Sequence, residues 1–125
     1  MKKRTTRRED YLKRIYNLSK TGEVRGADLA SELDVSRPTV CIYLKQLVEA
    51  GDITMDAHHT VHLTEQGRAV AETTRDKHST LFELLCSLGV PSVIAARDAC
   101  AIEHNLSPES YEALKQLLQE RQLAV

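Results

Sequence analysis

Apolar residues recur along most of this chain at the three- and four-residue spacing of amphipathic helices, interrupted once by a short stretch of alternation. Within residues 27–47, Leu29, Ala30 and Leu33 keep one face of a helix apolar, and Val40, Tyr43, Leu44 and Leu47 stand at i, i+3, i+4 and i+7 on a second. Between them, Asp34, Val35 and Ser36 supply a turn residue, a buried anchor and an N-cap. Pro38 suits the first turn, where its missing N–H has no helical partner. This is the pattern of a helix-turn-helix. A preceding helix over about 7–20 has Tyr11, Leu12, Ile15 and Tyr16 as its stripe. After Gly51 the period changes to two: Ile53 and Met55, then Val61 and Leu63, flank a turn at 56–59, as in a two-stranded wing.

Thr64 caps a long helix reaching about Leu88, its stripe being Ala71, Thr74, His78, Leu81, Leu85 and Leu88. Pro91 opens a helix running to about Asn105, with Val93 and Ala96 on one face followed by Cys100, Glu103 and His104. Ser107 and Pro108 begin a last helix to about Gln122, with Tyr111, Leu114, Leu117 and Leu118 as its stripe. The expected fold is therefore mainly α, a winged helix-turn-helix DNA-binding domain over 1–63 followed by an α-helical domain over 64–125. The closing helices carry more apolar face than a small domain needs, and the excess reads as a subunit interface.

If Val40, Leu44 and Leu47 face inward, Arg37, Thr39, Cys41, Ile42 and Lys45 face outward. Cations, a hydroxyl and an aliphatic group together suit a major groove, although a helical hairpin with a solvated face has the same periodicity. The candidate DNA-contacting set is Arg25, Ser36, Arg37, Pro38, Thr39, Ile42 and Lys45. Charge points the same way: residues 1–50 hold eleven Lys/Arg against seven Asp/Glu, and residues 51–125 hold six against eleven. A basic first half suits a polyanion, and an acidic second half suits cations or another subunit. The leader residues Lys2, Lys3, Arg4, Arg7 and Arg8 become candidate phosphate contacts beside such a motif. The leader has no apolar run, so no signal peptide or membrane span is expected and the protein is read as cytoplasmic. Cys41, Cys86 and Cys100, odd in number and irregularly spaced, fit reduced thiols.

Cys100, Glu103 and His104 stand at i, i+3 and i+4, so a thiol, a carboxylate and an imidazole converge on one helical face. That donor set suits a first-row transition metal better than calcium or magnesium. Taken alone, Asp10 reads as a first-turn carboxylate and His78 as a hydrogen-bonded core histidine. His58, His59 and His62 near the wing lack the arrangement of a metal site.

The order of parts resembles the metal-dependent repressors of the diphtheria toxin repressor and manganese transport regulator family. The likeness is carried by Glu9-Asp10-Tyr11-Leu12-Lys13-Arg14-Ile15-Tyr16, Leu63-Thr64-Glu65-Gln66-Gly67, Lys77-His78 and Ile102-Glu103-His104-Asn105-Leu106-Ser107. It implies a homodimer that binds palindromic operator DNA when loaded with ferrous or manganous ion. It also implies that Asp10, His78, Glu103 and His104 fall on metal-binding positions of the manganese branch. Cys100 falls where that branch has a carboxylate and the iron branch a cysteine, so ferrous ion gains over manganous, with zinc or cobalt competing in vitro. Lys13 replaces a family glutamate and Phe82 another, which implies one ion per subunit. The end at Val125 matches the compact layout of the manganese branch. A thiol redox sensor using Cys100 or Cys86 is the alternative. A metallohydrolase is disfavoured, since there is no nucleophile elbow, no glycine-rich phosphate loop and no room for a small organic substrate.

Overall fold

The computed structural model describes residues 2–123, with side chains from residue 6 onward. Its elements are α1 (Lys2–Ser19), α2 (Gly26–Leu33), α3 (Arg37–Ala50), β1 (Ile53–Met55), β2 (Val61–Leu63), α4 (Glu65–Ser87), α5 (Ser92–Ile102), a 3₁₀ turn (Glu103–Asn105) and α6 (Pro108–Leu123). They fall into two compact units, Met1–Glu72 and Thr73–Val125, and α4 passes from one into the other. No helix among the described residues is long and apolar enough to cross a membrane.

In the first unit the expected stripes meet in one core: Tyr11, Leu12 and Ile15 from α1, Leu29 and Ala30 from α2, Val40, Tyr43, Leu44 and Leu47 from α3, with Ile53, Val61 and Ala71. The Tyr11 and Tyr43 rings lie 4.5 Å apart, tilted by 49°, which joins α1 directly to α3. α1 begins earlier than the apolar stripe alone indicates, because lysine and arginine are good helix formers and residues 2–8 contain neither glycine nor proline. Between α2 and α3, Asp34 takes a left-handed conformation (φ 54°) and Ser36 accepts the Thr39 N–H as N-cap. Val35, read as a buried anchor, is 39% exposed.

The wing pairs Ile53 with Leu63, Thr54 with His62 and Met55 with Val61. Its tip is organised by Asp56: one carboxylate oxygen accepts the His58 and Thr60 N–H groups at 2.8 and 3.1 Å, and the other lies 3.0 Å from His62 Nε2. These bonds, that with His62 first, hold the Asp56 carboxyl at a pKa of about 2. The Val61 N–H also reaches the Val24 carbonyl at 2.8 Å, tying the wing to the segment before α2.

At the base of the wing lies Asp52, fully buried. Arg8 meets its two oxygens with Nε and Nη2 at 2.7 and 2.8 Å, and Gln66 donates to Oδ1 at 2.7 Å. Arg8, expected from its place in the leader to meet phosphate, is thus engaged inside the protein. Arg7 packs over the Tyr43 ring at 5.5 Å. The side chains of Lys2, Lys3 and Arg4 lie outside the described residues.

In the second unit the buried residues are Thr74, Thr80, Leu81 and Leu84 of α4, Ala95 and Ala99 of α5, Glu103, and Tyr111 and Leu118 of α6. Three stripes differ from expectation, that of α6 in that Leu117 is 45% exposed. Leu88 lies past the end of α4 beside Gly89 in its left-handed conformation, and is 65% exposed while Leu84 is buried. On α5 the small residues Ala95 and Ala99 pack inward and Val93 is 81% exposed, since alanine lets the helix approach its neighbour closely. Leu88, Val93, Ile94, Ile102, Leu117 and Leu123 leave this unit with an apolar outer surface.

Candidate metal centre and nucleic-acid interface

Where α5 ends, the backbone tightens into the 3₁₀ turn, so that Glu103 and His104 leave the regular α-helical spacing expected of them. Glu103 is completely buried, with one carboxylate oxygen 3.0 Å from His78 Nδ1 and the other 3.3 Å from His104 Nε2. The His104 ring is 6% exposed and that of His78 27%. A buried anion is costly unless it is met by hydrogen bonds or a cation. Here two imidazoles, one from α4 and one from the same turn, meet it on both sides.

The histidine on the apolar stripe of α4 is thus a polar partner of the carboxylate. Its ring also stacks on Phe82, centroids 6.3 Å apart and nearly parallel. Lys77, next to it, donates from Nζ to the Leu106 carbonyl at 3.1 Å and so pins the chain leaving the turn. Lys77 was not among the expected site residues, although its adjacency to His78 in the quoted motif was the available signal. Cys100, on α5 before the turn, is half-buried with a free thiol. Asp10, in the first unit, is half-buried on α1, and Lys13 one turn later is buried.

One carboxylate and two imidazoles in one buried place offer oxygen and nitrogen donors of borderline softness. That set fits a divalent first-row ion, which accepts such mixed ligands, and has too few oxygens for calcium. The wing histidines behave differently: His62 is committed to Asp56, and His59 sits in the turn at φ 63°.

Of the DNA-facing candidates, Ser36, Arg37, Pro38, Thr39, Ile42 and Lys45 are all exposed around the start and outer face of α3, Ile42 to 61%. Ile42 adds an aliphatic group to this otherwise polar exposed set, the kind of group that can meet a thymine methyl in a major groove. The Ser36 hydroxyl serves the cap and donates to Thr39 Oγ1 at 2.8 Å, which leaves the Thr39 hydroxyl hydrogen free to find an acceptor. Arg25, exposed before α2, lies 3.8 Å from Glu23, while its backbone N–H is held by Asp28 at 2.9 Å.

A recognition helix with a wing, followed by a helical unit with a buried set of oxygen and nitrogen donors, is the layout expected of a metal-dependent DNA-binding regulator. Residues 3–58 match the iron-dependent repressor N-terminal DNA-binding domain, and residues 64–123 match the iron-dependent repressor metal-binding and dimerisation domain. The chain belongs to the iron-dependent repressor family. It is 39% identical over 108 residues to the transcriptional regulator MntR of Escherichia coli O6:H1, covering 86% of this chain and 70% of that one. It resembles the solved structures of a manganese-dependent transcriptional repressor in complex with manganese (TM-score 0.81, 27% identity, 90% of this chain) and of ScaR with bound Zn2+ (TM-score 0.77, 29% identity, 90% of this chain). It spans 52% and 53% of those two chains, about half their length. None of these likenesses supports the thiol redox reading.

Proposed function

We propose that this protein is a cytoplasmic repressor that binds palindromic operator DNA as a homodimer when loaded with ferrous or manganous ion, and so controls genes of metal-ion homeostasis. The observation that carries this reading is the buried Glu103 carboxylate flanked by His78 and His104. These three, with Cys100 from α5 and Asp10 from the DNA-binding unit, form the proposed ligand set. A bound ion supplies positive charge that the buried carboxylate lacks and fixes the positions of its ligands. Asp10, engaged together with donors of the helical unit, would restrain the DNA-binding unit and favour its operator-competent setting. Lys13, one turn from Asp10 on α1, stands where the resemblance has a metal-binding glutamate, which supports one ion per subunit. The relatives' manganese and the zinc of ScaR are compatible with the same donors, and the Cys100 thiolate tilts the balance toward ferrous ion, with zinc and cobalt competing in vitro.

The exposed apolar surface of α5 and α6 supports pairing of two copies, which a palindrome requires. Arg37, Thr39, Ile42 and Lys45 are proposed to enter the major groove, with Arg25, Ser36 and Pro38 at its edge. Duplexes selected from a random pool by the metal-loaded protein test this placement. Arg37→Ala is expected to relax base preference, costing roughly 1 to 3 kcal/mol at the position it reads. Lys45→Ala is expected to weaken binding to all duplexes alike and to reduce the salt slope by about one. Wild-type affinity for both variants at two salt concentrations would contradict the placement.

A further inference from the structure

Besides the core packing of Leu12 and Ile15 and the Arg7 contact with Tyr43, α1 meets the reading head through two further side chains. Tyr11 packs on Tyr43 of α3, and Arg8 holds Asp52 through both its oxygens. Asp52 stands where α3 gives way to the wing: its N–H bonds to the Leu47 carbonyl and its own carbonyl accepts from Thr64, each at 3.0 Å. Gln66, in the first turn of α4, reaches both the Asp52 carboxylate at 2.7 Å and the Ala50 carbonyl at 3.0 Å. The end of the recognition helix, the base of the wing and the start of α4 therefore share one buried anion, and α1 supplies its charged partner. Asp10 lies on α1 between Arg8 and Tyr11 in sequence.

We propose that Arg8 and Asp52 are a positioning pair that transmits metal occupancy at Asp10 to the recognition helix and wing. The proposal rests on the reading of Asp10 as a metal ligand given above. A guanidinium binds a carboxylate through two parallel N–H bonds in a planar fork, so it fixes orientation as well as distance. Asp52, at 0% exposure, has no water to turn to if the fork moves. A displacement of α1 must therefore either carry the base of the wing with it or leave a buried charge without its partner, and the second is far more costly. The pair thus converts a restraint on α1 into a restraint on the surface that reads DNA. Neither residue belongs to the proposed ligand set or to the proposed major-groove set.

The full-length chain with Mn2+ as probe provides the test. Operator affinity is measured with Mn2+ and after chelation for the wild type, Asp52→Asn and Arg8→Gln, and Mn2+ affinity is measured with and without operator. In both variants the loaded-to-chelated ratio of operator affinity is expected to fall at least about fivefold, the lower end of a typical coupling. Mn2+ affinity without DNA stays within about twofold of wild type. Because coupling is reciprocal, the tightening of Mn2+ by operator must shrink by the same factor. Arg8 is one-third exposed, so Arg8→Gln carries the test if Asp52→Asn does not fold. An unchanged ratio overturns the proposal, including the case in which both affinities drop together, which marks a purely structural pair. A wild-type ratio of one overturns the metal-responsive reading itself and this inference with it, whereas a normal wild-type ratio retained by the variants overturns the inference alone.

Discussion

Replacing Glu103 by glutamine is expected to leave the fold intact and to remove metal binding, lowering affinity for Mn2+ or Fe2+ by about 100-fold or more. Changes to residues that merely support a ligand already cost about 10- to 100-fold. Glutamine has nearly the same volume, so packing around the 3₁₀ turn is kept. It lacks the charge, which in a buried place is the main attraction for a dication. It also presents an amide N–H₂ toward one of the two imidazoles that now flank the carboxylate. The stability of the metal-free variant is expected to stay near wild type, because a neutral amide needs less compensation when buried than a carboxylate does. A native mass spectrum should show one ion per protomer for the wild type and none for the variant. Saturating metal should raise the melting temperature of the wild type alone, since an ion present at about 100 times its Kd adds about 2.7 kcal/mol of stability. A variant that retains its ion would place the site elsewhere.

Gly67→Ala is expected to destabilise the protein by about 3 kcal/mol, the upper part of the usual range for overpacking. Gly67 lies in the first turn of α4 with its Cα against the Asp52 backbone, and a methyl there would be driven into the Asp52 carbonyl. That carbonyl accepts the Thr64 N–H, and Thr64 Oγ1 in turn accepts the Gly67 N–H. A shift large enough to admit the methyl would break this cap and disturb the Arg8 bond to Asp52. Gly26→Ala is the matching control: its methyl would meet only Val40 and Leu44 side chains at ordinary contact distance. It is expected to be neutral or to stabilise by about 0.4 to 1 kcal/mol through the unfolded chain. Urea denaturation of the two variants beside wild type separates them, and equal midpoints would mean that the close approach at Gly67 is not real.

The helix-turn-helix, the wing and the cap at Thr64 were legible because each is written in local spacing: a four-residue stripe, a two-residue alternation, a hydroxyl before a helix. The α5 face was misread for a reason in its composition. Val93, Ile94, Ala95, Ala96 and Ala99 make that helix apolar nearly all round, so hydrophobicity does not say which side packs, and close approach favoured the alanines. Leu88 continued the α4 stripe only on paper, since Gly89 turns the chain first. Glu103 and His104 were recognisable as metal-competent by their chemistry. Spacing alone did not mark His78, since an imidazole on an apolar stripe looks the same whether it meets a core carbonyl or a carboxylate from a later turn; only the family resemblance set it among metal-binding positions. The Arg8 bond to Asp52 joins residues 44 apart and leaves no local mark. A lone aspartate after a helix-ending glycine reads as solvent-facing, and only the assembled wing shows it buried.

Metal-responsive repression stands or falls on operator affinity as a function of metal. The protein is stripped with chelator, and its binding to a selected palindromic duplex is followed as Mn2+ or Fe2+ is restored. The stripped protein is expected to bind weakly, to recover about 5- to 150-fold on reloading with either ion, and to show no recovery as Glu103→Gln. Equal affinity for the duplex with and without metal would contradict metal-responsive repression.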